Sequence, residues 1–162
     1  MQTIRATNRA LLMSPRLTKM PLPMQRHDDP FLPFGKAIIA ATQDLVCAYV
    51  FDLAAYLAIG AAGAVALERT IAFVGENNLT ILHAWFAGSG YTSAAEAFGV
   101  DAVTLADDGY IHDYHAAGLG VFEVNSPSLV GEGVEMRLFG ENTLYAGYGE
   151  DFAEQVRAAL LS

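Results

Sequence analysis

The chain has 162 residues, of which 53% are hydrophobic and 17% charged, and its formal net charge is −9. This length suits one domain with a buried core, and the acidic balance argues against binding to nucleic acid or to anionic lipid. The longest apolar stretch, residues 53–67, is rich in Ala and Gly and shorter than the roughly 20 strongly apolar residues of a membrane span. We therefore expect neither a nucleic-acid partner nor a membrane partner.

Basic residues are concentrated near the N-terminus. Six of the nine are Arg5, Arg9, Arg16, Lys19, Arg26 and Lys36. The first 27 residues contain no acid, so the sequence predicts a basic N-terminal arm with the first strand over residues 1–27 and a domain over 28–162. The single cysteine, Cys47, cannot form an internal disulfide, and the N-terminus lacks the apolar segment of a secretory signal. We expect a cytoplasmic protein.

Short apolar runs alternate with amphipathic segments along the chain. The predicted strands are residues 10–13, 45–50, 79–85, 102–105 and 119–124. The first predicted helix starts at the cap Asp28-Asp29-Pro30. A second covers residues 54–74, with a break at Gly60 and Gly63 and a C-cap at Gly75. Further helices are predicted at 91–98, closed by Gly99, at 110–117, closed by Gly118, and at 150–161. Strands buried on both faces and separated by helices indicate parallel βαβ units. Residues 134–139 and 143–148 are predicted to pair as a hairpin around the Gly-Glu-Asn turn at 140–142.

Several stretches resemble the bacterial long-type orotidine 5′-monophosphate decarboxylases. They are residues 15–21 (PRLTKMP), 34–49 (FGKAIIAATQDLVCAY), 53–56 (LAAY), 66–73 (ALERTIAF), 99–105 (GVDAVTL), 120–127 (GVFEVNSP) and 144–154 (LYAGYGEDFAE). Their order along the chain makes the resemblance more specific than any single stretch, and together they span most of residues 9–160.

The resemblance implies a (β/α)₈ barrel, which typically needs about 250 residues. In this chain the similarity passes from the fifth strand almost directly to the last one, with residues 128–141 in place of the sixth and seventh units. We therefore expect an α/β fold that is TIM-barrel-like but shortened to six or seven strands. Such a barrel would be distorted or incomplete, or would be closed by a partner chain.

The resemblance also implies that the family's charged catalytic network is absent. The family's lysine after the second strand corresponds to Val50, followed by Phe51, and its charged residues on the third strand correspond to His83, Trp85, Phe86 and Gly88. The family's aspartate after the first strand has no counterpart at residues 13–15, and its phosphate-binding loop falls in the missing stretch. Apolar side chains can neither donate a proton nor supply a cation, so orotidine monophosphate decarboxylase activity is predicted to be absent.

Two functions remain open at this point. The leading hypothesis is a catalytically inactive decarboxylase-like scaffold that acts as a protein-interaction or assembly subunit, as a homo-oligomer or within a larger complex. The alternative is a repurposed enzyme of the lyase or isomerase type, or a ligand-binding protein, with an apolar pocket around His83 and Trp85. If chemistry persists, the candidate catalytic residues are His83, Asp52 and Asp108. The candidates for a ligand pocket or an interface are Tyr49, Val50, Phe51, Trp85, Phe86 and Tyr91.

A metal site and a cofactor are not expected. His112 and His115 have the i, i+3 spacing that puts two side chains on one helical face, but no third ligand follows at a suitable spacing. Asp107 and Asp108 follow a predicted strand, and capping of the next helix is their expected role. A lysine such as Lys19 or Lys36 beside an acid in an open cleft would contradict the inactive-scaffold hypothesis.

Overall fold

Seven strands form one closed barrel, in which each strand is hydrogen-bonded to the next and the last pairs with the first. The computed structural model describes residues 7–84, 91–106 and 108–162, and for Asp108 only the backbone. The strands are β1 (Arg9–Met13), β2 (Ala48–Asp52), β3 (Leu79–His83), β4 (Ala102–Thr104), β5 (Gly120–Asn125), β6 (Ser128–Gly131) and β7 (Val134–Phe139). The expected shortened α/β barrel is confirmed, and the chain closes it through its own β1–β7 pairing.

Helices follow most of the parallel strands and cover the barrel from outside. They are α1 (Phe31–Thr42), α2 (Leu53–Leu57), α3 (Ala61–Phe73), α4 (Thr92–Phe98), α5 (Ile111–Ala116), α6 (Glu141–Leu144) and α7 (Phe152–Leu161). The break between α2 and α3 falls at Gly60, whose φ of 73° places it in the left-handed region, and α4 ends at Gly99 with φ 71°. Both positions suit glycine because a Cβ is disfavoured there.

The hairpin predicted after residue 134 is wrong in its second strand. β7 pairs instead with β6, which precedes it, and residues 141–144 form α6. The turn between β6 and β7 is Glu132-Gly133, with φ values of 51° and 74°, the conformation that a tight two-residue hairpin requires. The segment that resembles the family's last strand therefore contributes α6, a loop and α7, while β7 occupies the last place in the barrel.

One antiparallel strand explains how so short a chain closes the barrel. Only Ser126 and Pro127 separate β5 from β6, and a connection of two residues can only reverse the chain direction. The second reversal at Glu132-Gly133 brings β7 parallel to β1. Residues 128–139 thus supply the two strands that close the barrel.

The barrel interior is filled by apolar residues, three of which are alanines. The buried interior cluster consists of Ala10, Cys47, Ala48, Val50, Ile81, Ala102, Phe122, Leu129 and Met136. Seven strands enclose a narrower space than eight, and the alanines on three of the strands fit that space. A second, larger cluster lies between the strands and the helices, where Phe34, Ile38 and Val156 are buried.

Other sequence predictions need small corrections. Neither Asp28 nor Asp29 caps α1, which begins at Phe31 with Pro30 at the cap position and no side-chain cap. Val74 in an extended conformation, not Gly75, ends α3. No helix in the described ranges is long and apolar enough to cross a bilayer.

The basic segment after β1 packs on the C-terminal part of the chain. Residues 17–19 and 22–26 form short 3₁₀ turns, and Arg26 pairs with Glu150 at 3.2 Å. β1 itself lies between β2 and β7. β1 and the segment that follows it therefore pack against the rest of the described chain.

Candidate functional site

Polar side chains gather at the carboxyl ends of the parallel strands, which form the mouth of the barrel. Ser14 directly follows β1, and Asp52, His83 and Thr104 are the last residues of β2, β3 and β4. Asp52 and His83 are register partners on adjacent strands, so their side chains lie on the same side of the sheet. In barrels of this type the mouth is where loops and strand ends build functional sites.

Ser14 links two carboxylates. Its buried hydroxyl Oγ lies 3.0 Å from Asp52 Oδ2 and 3.2 Å from Glu141 Oε1. A hydroxyl has one proton, so it can donate to only one of these acceptors at a time. The other Asp52 oxygen, Oδ1, accepts from the backbone N–H of Ala55 at 3.4 Å and thereby caps α2.

Glu141 is bound by two cations. Arg16 Nε donates to its Oε1 at 2.7 Å, and Lys19 Nζ lies 3.1 Å from its Oε2. The hydrogen bond from Arg16 is the largest cause that holds the pKa of Glu141 below its ordinary value, and Lys19 acts in the same direction. Glu141 is therefore paired with two cations, and Ser14 connects this cluster to Asp52.

Tyr145 fixes the segment that carries these cations. Its hydroxyl donates to the backbone carbonyl of Ser14 at 2.8 Å and accepts from the backbone N–H of Arg16 at 2.8 Å. Burial raises the pKa of Tyr145 to about 12, so the phenol stays protonated and keeps donating at neutral pH. The ring also stacks on Phe34 with a centroid distance of 5.7 Å.

His83 lies on the other side of Asp52. Its Nδ1 is 2.8 Å from the hydroxyl of Thr104, which is fully buried. Burial lowers the pKa of His83, and the charge of Asp52 acts in the opposite direction. The imidazole lines a cavity of about 370 Å³ together with Leu105, Ala106, Glu123 and Val124.

The predicted pocket residues of β2 lie elsewhere. Val50 points into the apolar barrel interior, while Tyr49 and Phe51 point outward into the layer beneath the helices and have no exposed surface. Side chains alternate along a strand, so three consecutive residues cannot all line the mouth. Tyr91 is also buried in the helix layer and donates to the carbonyl of Leu82 at 2.7 Å.

Several other predicted residues lie outside the described parts of the chain or away from the mouth. Trp85 and Phe86 fall outside the described residues, as does the side chain of Asp108, although residues 108–110 form a 3₁₀ turn. His115 pairs through Nε2 with Glu132 at 2.8 Å, and the same carboxylate accepts from the Val121 backbone.

Ser14 and Glu141 are the site residues that sequence reasoning missed. A usable signal was present, because each follows a strand end directly or after one residue. The sequence pattern instead predicts Glu141 in the turn of a hairpin that does not form. The structure also places Lys19 beside an acid at the mouth, which is the arrangement that would count against an inactive scaffold; its ammonium is bound to a carboxylate that Arg16 shares.

The mouth of the barrel carries both a group that can accept a proton and charged groups that pair with one another. His83 is a neutral imidazole beside a cavity, a group that can accept a proton. The cations Arg16 and Lys19 extend from the loop after β1 and contact Glu141, whereas Val50 near the end of β2 is apolar.

Comparison with known proteins identifies the relatives of this chain. No family model matches it. The orotidine 5′-phosphate decarboxylase of Herpetosiphon aurantiacus is 39% identical over 117 residues, which cover 65% of this chain and 44% of that protein. The same enzyme of Thermomicrobium roseum is 41% identical over 113 residues, which cover 64% of this chain and 40% of that protein.

A solved structure supports the fold. The crystal structure of a proposed orotidine-monophosphate-decarboxylase from Toxoplasma gondii superposes with a TM-score of 0.62 and 24% identity, over 72% of this chain and 43% of that one. The matched regions thus span less than half the length of these relatives. In sequence the chain is thus similar to orotidine 5′-phosphate decarboxylases over part of their length, and it shares their barrel fold.

Proposed function

We propose that the chain is a cytoplasmic scaffold of the decarboxylase family that does not decarboxylate orotidine monophosphate and acts as an assembly subunit. One observation carries the first half of this proposal: the described cations at the mouth are bound to Glu141 at one side, and the second strand presents Val50 to an apolar interior. A developing carbanion needs a fixed cation beside the reacting carbon. The Lys19 ammonium lies in the segment after β1 and is bound to Glu141. It is therefore not placed beside a reacting carbon.

The size of the expected effect is large. Removing one preorganised charge from an active site typically costs about 10²–10³ in rate. The resemblance implies the loss of charges on both the second and the third strand, and of the loop that binds the phosphate. Remote binding energy from that phosphate would normally be used to orient the reacting ring, so its loss adds to the loss of rate.

The test is an assay of nucleotide turnover with matched variants. Purified chain is incubated with orotidine monophosphate beside the H. aurantiacus relative as a positive control, and product is measured over hours. We expect no product from the wild type, from Lys19→Met or from Lys36→Met, where Lys36 is a control lysine on α1 over the Phe73 ring. Turnover by the wild type that Lys19→Met abolishes and Lys36→Met preserves would overturn the proposal.

The assembly half of the proposal is supported by the sheet surface. β5, β6 and β7 are joined by two-residue connections, so no crossover helix intervenes between them. Val130 and Val134 in this hairpin are 43% and 50% exposed. Sedimentation velocity measures the assembly state directly, and a chain that stays monomeric and binds no partner would contradict this half.

A second function is favoured by the His83 cavity. A neutral imidazole hydrogen-bonded to buried Thr104 and facing about 370 Å³ of space suits a small uncharged ligand. A thermal-shift screen of small uncharged molecules tests this, with His83→Ala as the variant and His115→Ala on α5 as the control. A ligand that stabilises the wild type and His115→Ala but not His83→Ala would support it, and a screen without such a ligand would count against it.

A further inference from the structure

Two rows of side chains cross the outer face of β5, β6, β7 and β1. The strand register aligns Glu123, Val130 and Glu135 in one row, and Asn125, Ser128, Arg137 and Arg9 in the next. The intervening register pair, Leu129 and Met136, is buried inside the barrel. Because side chains alternate between the faces of a sheet, both rows point away from the barrel.

This face is open. Glu123, Val130, Glu135 and Arg137 are all exposed, and Arg9 is partly exposed. The two-residue connections on either side of β6 leave no room for a helix of the kind that covers the parallel strands. We define the hairpin face as the two rows named above.

The hairpin face carries opposite charges in adjacent rows. The first row holds two carboxylates, Glu123 and Glu135, and the second holds two guanidinium groups, Arg137 and Arg9. Two of these side chains are held in place: Ser128 donates to Glu135 at 2.9 Å, and Arg137 lies 4.6 Å from the centroid of the Phe139 ring. Fixed charges lose less conformational entropy on binding.

We propose that the hairpin face binds a second copy of this chain. The two copies are related by a two-fold axis that lies parallel to the sheet and crosses the strands between the two rows. This axis places the first row of each copy opposite the second row of the other copy. Glu135 then faces Arg137 of the second copy, Arg137 faces Glu135, and the exposed Val130 is covered by the strand opposite. An isologous contact must be self-complementary in this way.

A partner of a single charge sign fits less well. An acidic surface would meet Glu123 and Glu135, and a basic surface would meet Arg137 and Arg9, and like charges brought together cost several kcal/mol. A second copy carries both signs in the required order. This inference rests on the assembly role proposed above and specifies its partner.

The dimer is expected to be weak and salt-sensitive. Four strands about 4.8 Å apart make a patch about 15 Å wide, which is small beside the roughly 800 Å² per partner of a stable interface. Exposed charges that are paired across the contact lose attraction as salt rises. Dissociation constants from about 10 μM to about 1 mM correspond to such a contact.

Charge reversal tests the pairing. Sedimentation equilibrium of Arg137→Glu and of Glu135→Arg, each alone, is expected to show association at least about tenfold weaker than that of the wild type. An equimolar mixture of the two variants is expected to associate again, because one copy then carries two acids and the other two arginines at the facing positions. Glu68→Arg, an exposed charge reversal on α3, should associate like the wild type.

Each result decides the proposal. Recovery in the mixture supports it and also shows that both variants are folded. The proposal is overturned by a wild type that sediments at its monomer mass of 17.3 kDa at concentrations up to about 1 mM, the weakest dissociation constant expected. It is also overturned by single variants that associate like the wild type, or by a mixture that stays monomeric. Nucleotide turnover is measured separately, so loss of the dimer with no turnover leaves the inactive-scaffold proposal in place.

Discussion

Ser14 Oγ lies 3.0 Å from Asp52 Oδ2 and so connects the end of β1 to the end of β2 at the mouth of the barrel. The same hydroxyl reaches Glu141, which follows β7 and binds Arg16 and Lys19. Side chains at the mouth thereby join three neighbouring strands, β7, β1 and β2. Replacing these side chains should therefore change the stability and the titration of the mouth.

The first prediction concerns the Glu141 cluster. Replacing Glu141 by Gln removes the charge that Arg16 and Lys19 share, and we expect the free energy of unfolding to fall by about 1 kcal/mol, since both cations are half exposed. Urea denaturation at neutral pH measures this change. Glu150→Gln is the control, because its pair with Arg26 is largely exposed and contributes roughly a few tenths of a kcal/mol at most.

The difference in stability between the wild type and Glu141→Gln should depend on pH, and this dependence tests the ion pairing of Glu141 independently. The pKa of Glu141 is depressed in the folded chain, so the unfolded chain takes up its proton first as the pH falls. The extra stability of the wild type over Glu141→Gln should be complete above the ordinary glutamate pKa of 4.5 and should be lost as the pH falls towards the folded value. A difference that stays constant down to acid pH would contradict the ion-pair assignment.

The second prediction concerns the protonation of His83. Burial holds its pKa below the ordinary value of 6.5, so NMR titration should show a midpoint below that value and a neutral ring at neutral pH. Because the unfolded chain binds this proton more readily, His83 should lower stability as the pH falls below 6.5 towards the folded pKa.

Asp52 supplies the control for that titration. Its charge raises the pKa of His83, so Asp52→Asn should move the midpoint further down, while Glu68→Gln on the outer face of α3 should leave it unchanged. A midpoint that rises in Asp52→Asn would show that the two side chains do not interact as their register indicates.

The third prediction concerns the packing of the β6–β7 hairpin. A Cβ on Gly131 would clash with the carbonyl oxygen of Val121 and would lie 2.9 Å from the Cα of Phe122. Both are backbone atoms of β5 that cannot move without disturbing the ladder, so Gly131→Ala should destabilise the chain by about 1–3 kcal/mol.

Gly140→Ala is the matched control for that substitution. Nothing lies within 4 Å of its Cβ position, and its φ of −98° suits any residue. Thermal or urea unfolding should show little change. If both substitutions cost the same, the close approach of β6 to β5 is not what constrains Gly131.

Most strands could be predicted from the sequence, because their formation depends on the pattern of residues within each strand. The apolar runs at residues 79–85, 102–105 and 119–124 each overlap the strand that forms, and Phe152, Val156 and Leu160 share the buried face of α7 as their spacing predicts. The glycines at 60, 99 and 118 end or separate helices at positive φ. Local propensity and hydrophobic period suffice for such elements.

The β6–β7 hairpin and the side-chain contacts at the mouth could not be predicted from such local patterns. The Gly131-Glu132-Gly133 segment offers a local turn signal, but the Gly-Glu-Asn sequence at 140–142 offers a competing one and led to a predicted second strand at residues 143–148. Ser14 and Glu141 meet across 127 positions of sequence, and no local pattern records such a contact. His83 and Asp52 were found because each ends a buried strand, where side chains of a parallel sheet converge.

The most direct test of the central claim is a single-turnover assay with the chain in excess over orotidine monophosphate labelled in its carboxyl group. Release of labelled carbon dioxide is followed over hours beside the nucleotide alone. We expect the same slow release of labelled carbon dioxide with and without the chain. Release that rises in proportion to the chain and disappears in Lys19→Met would contradict it and would identify Lys19 as the cation of a working site.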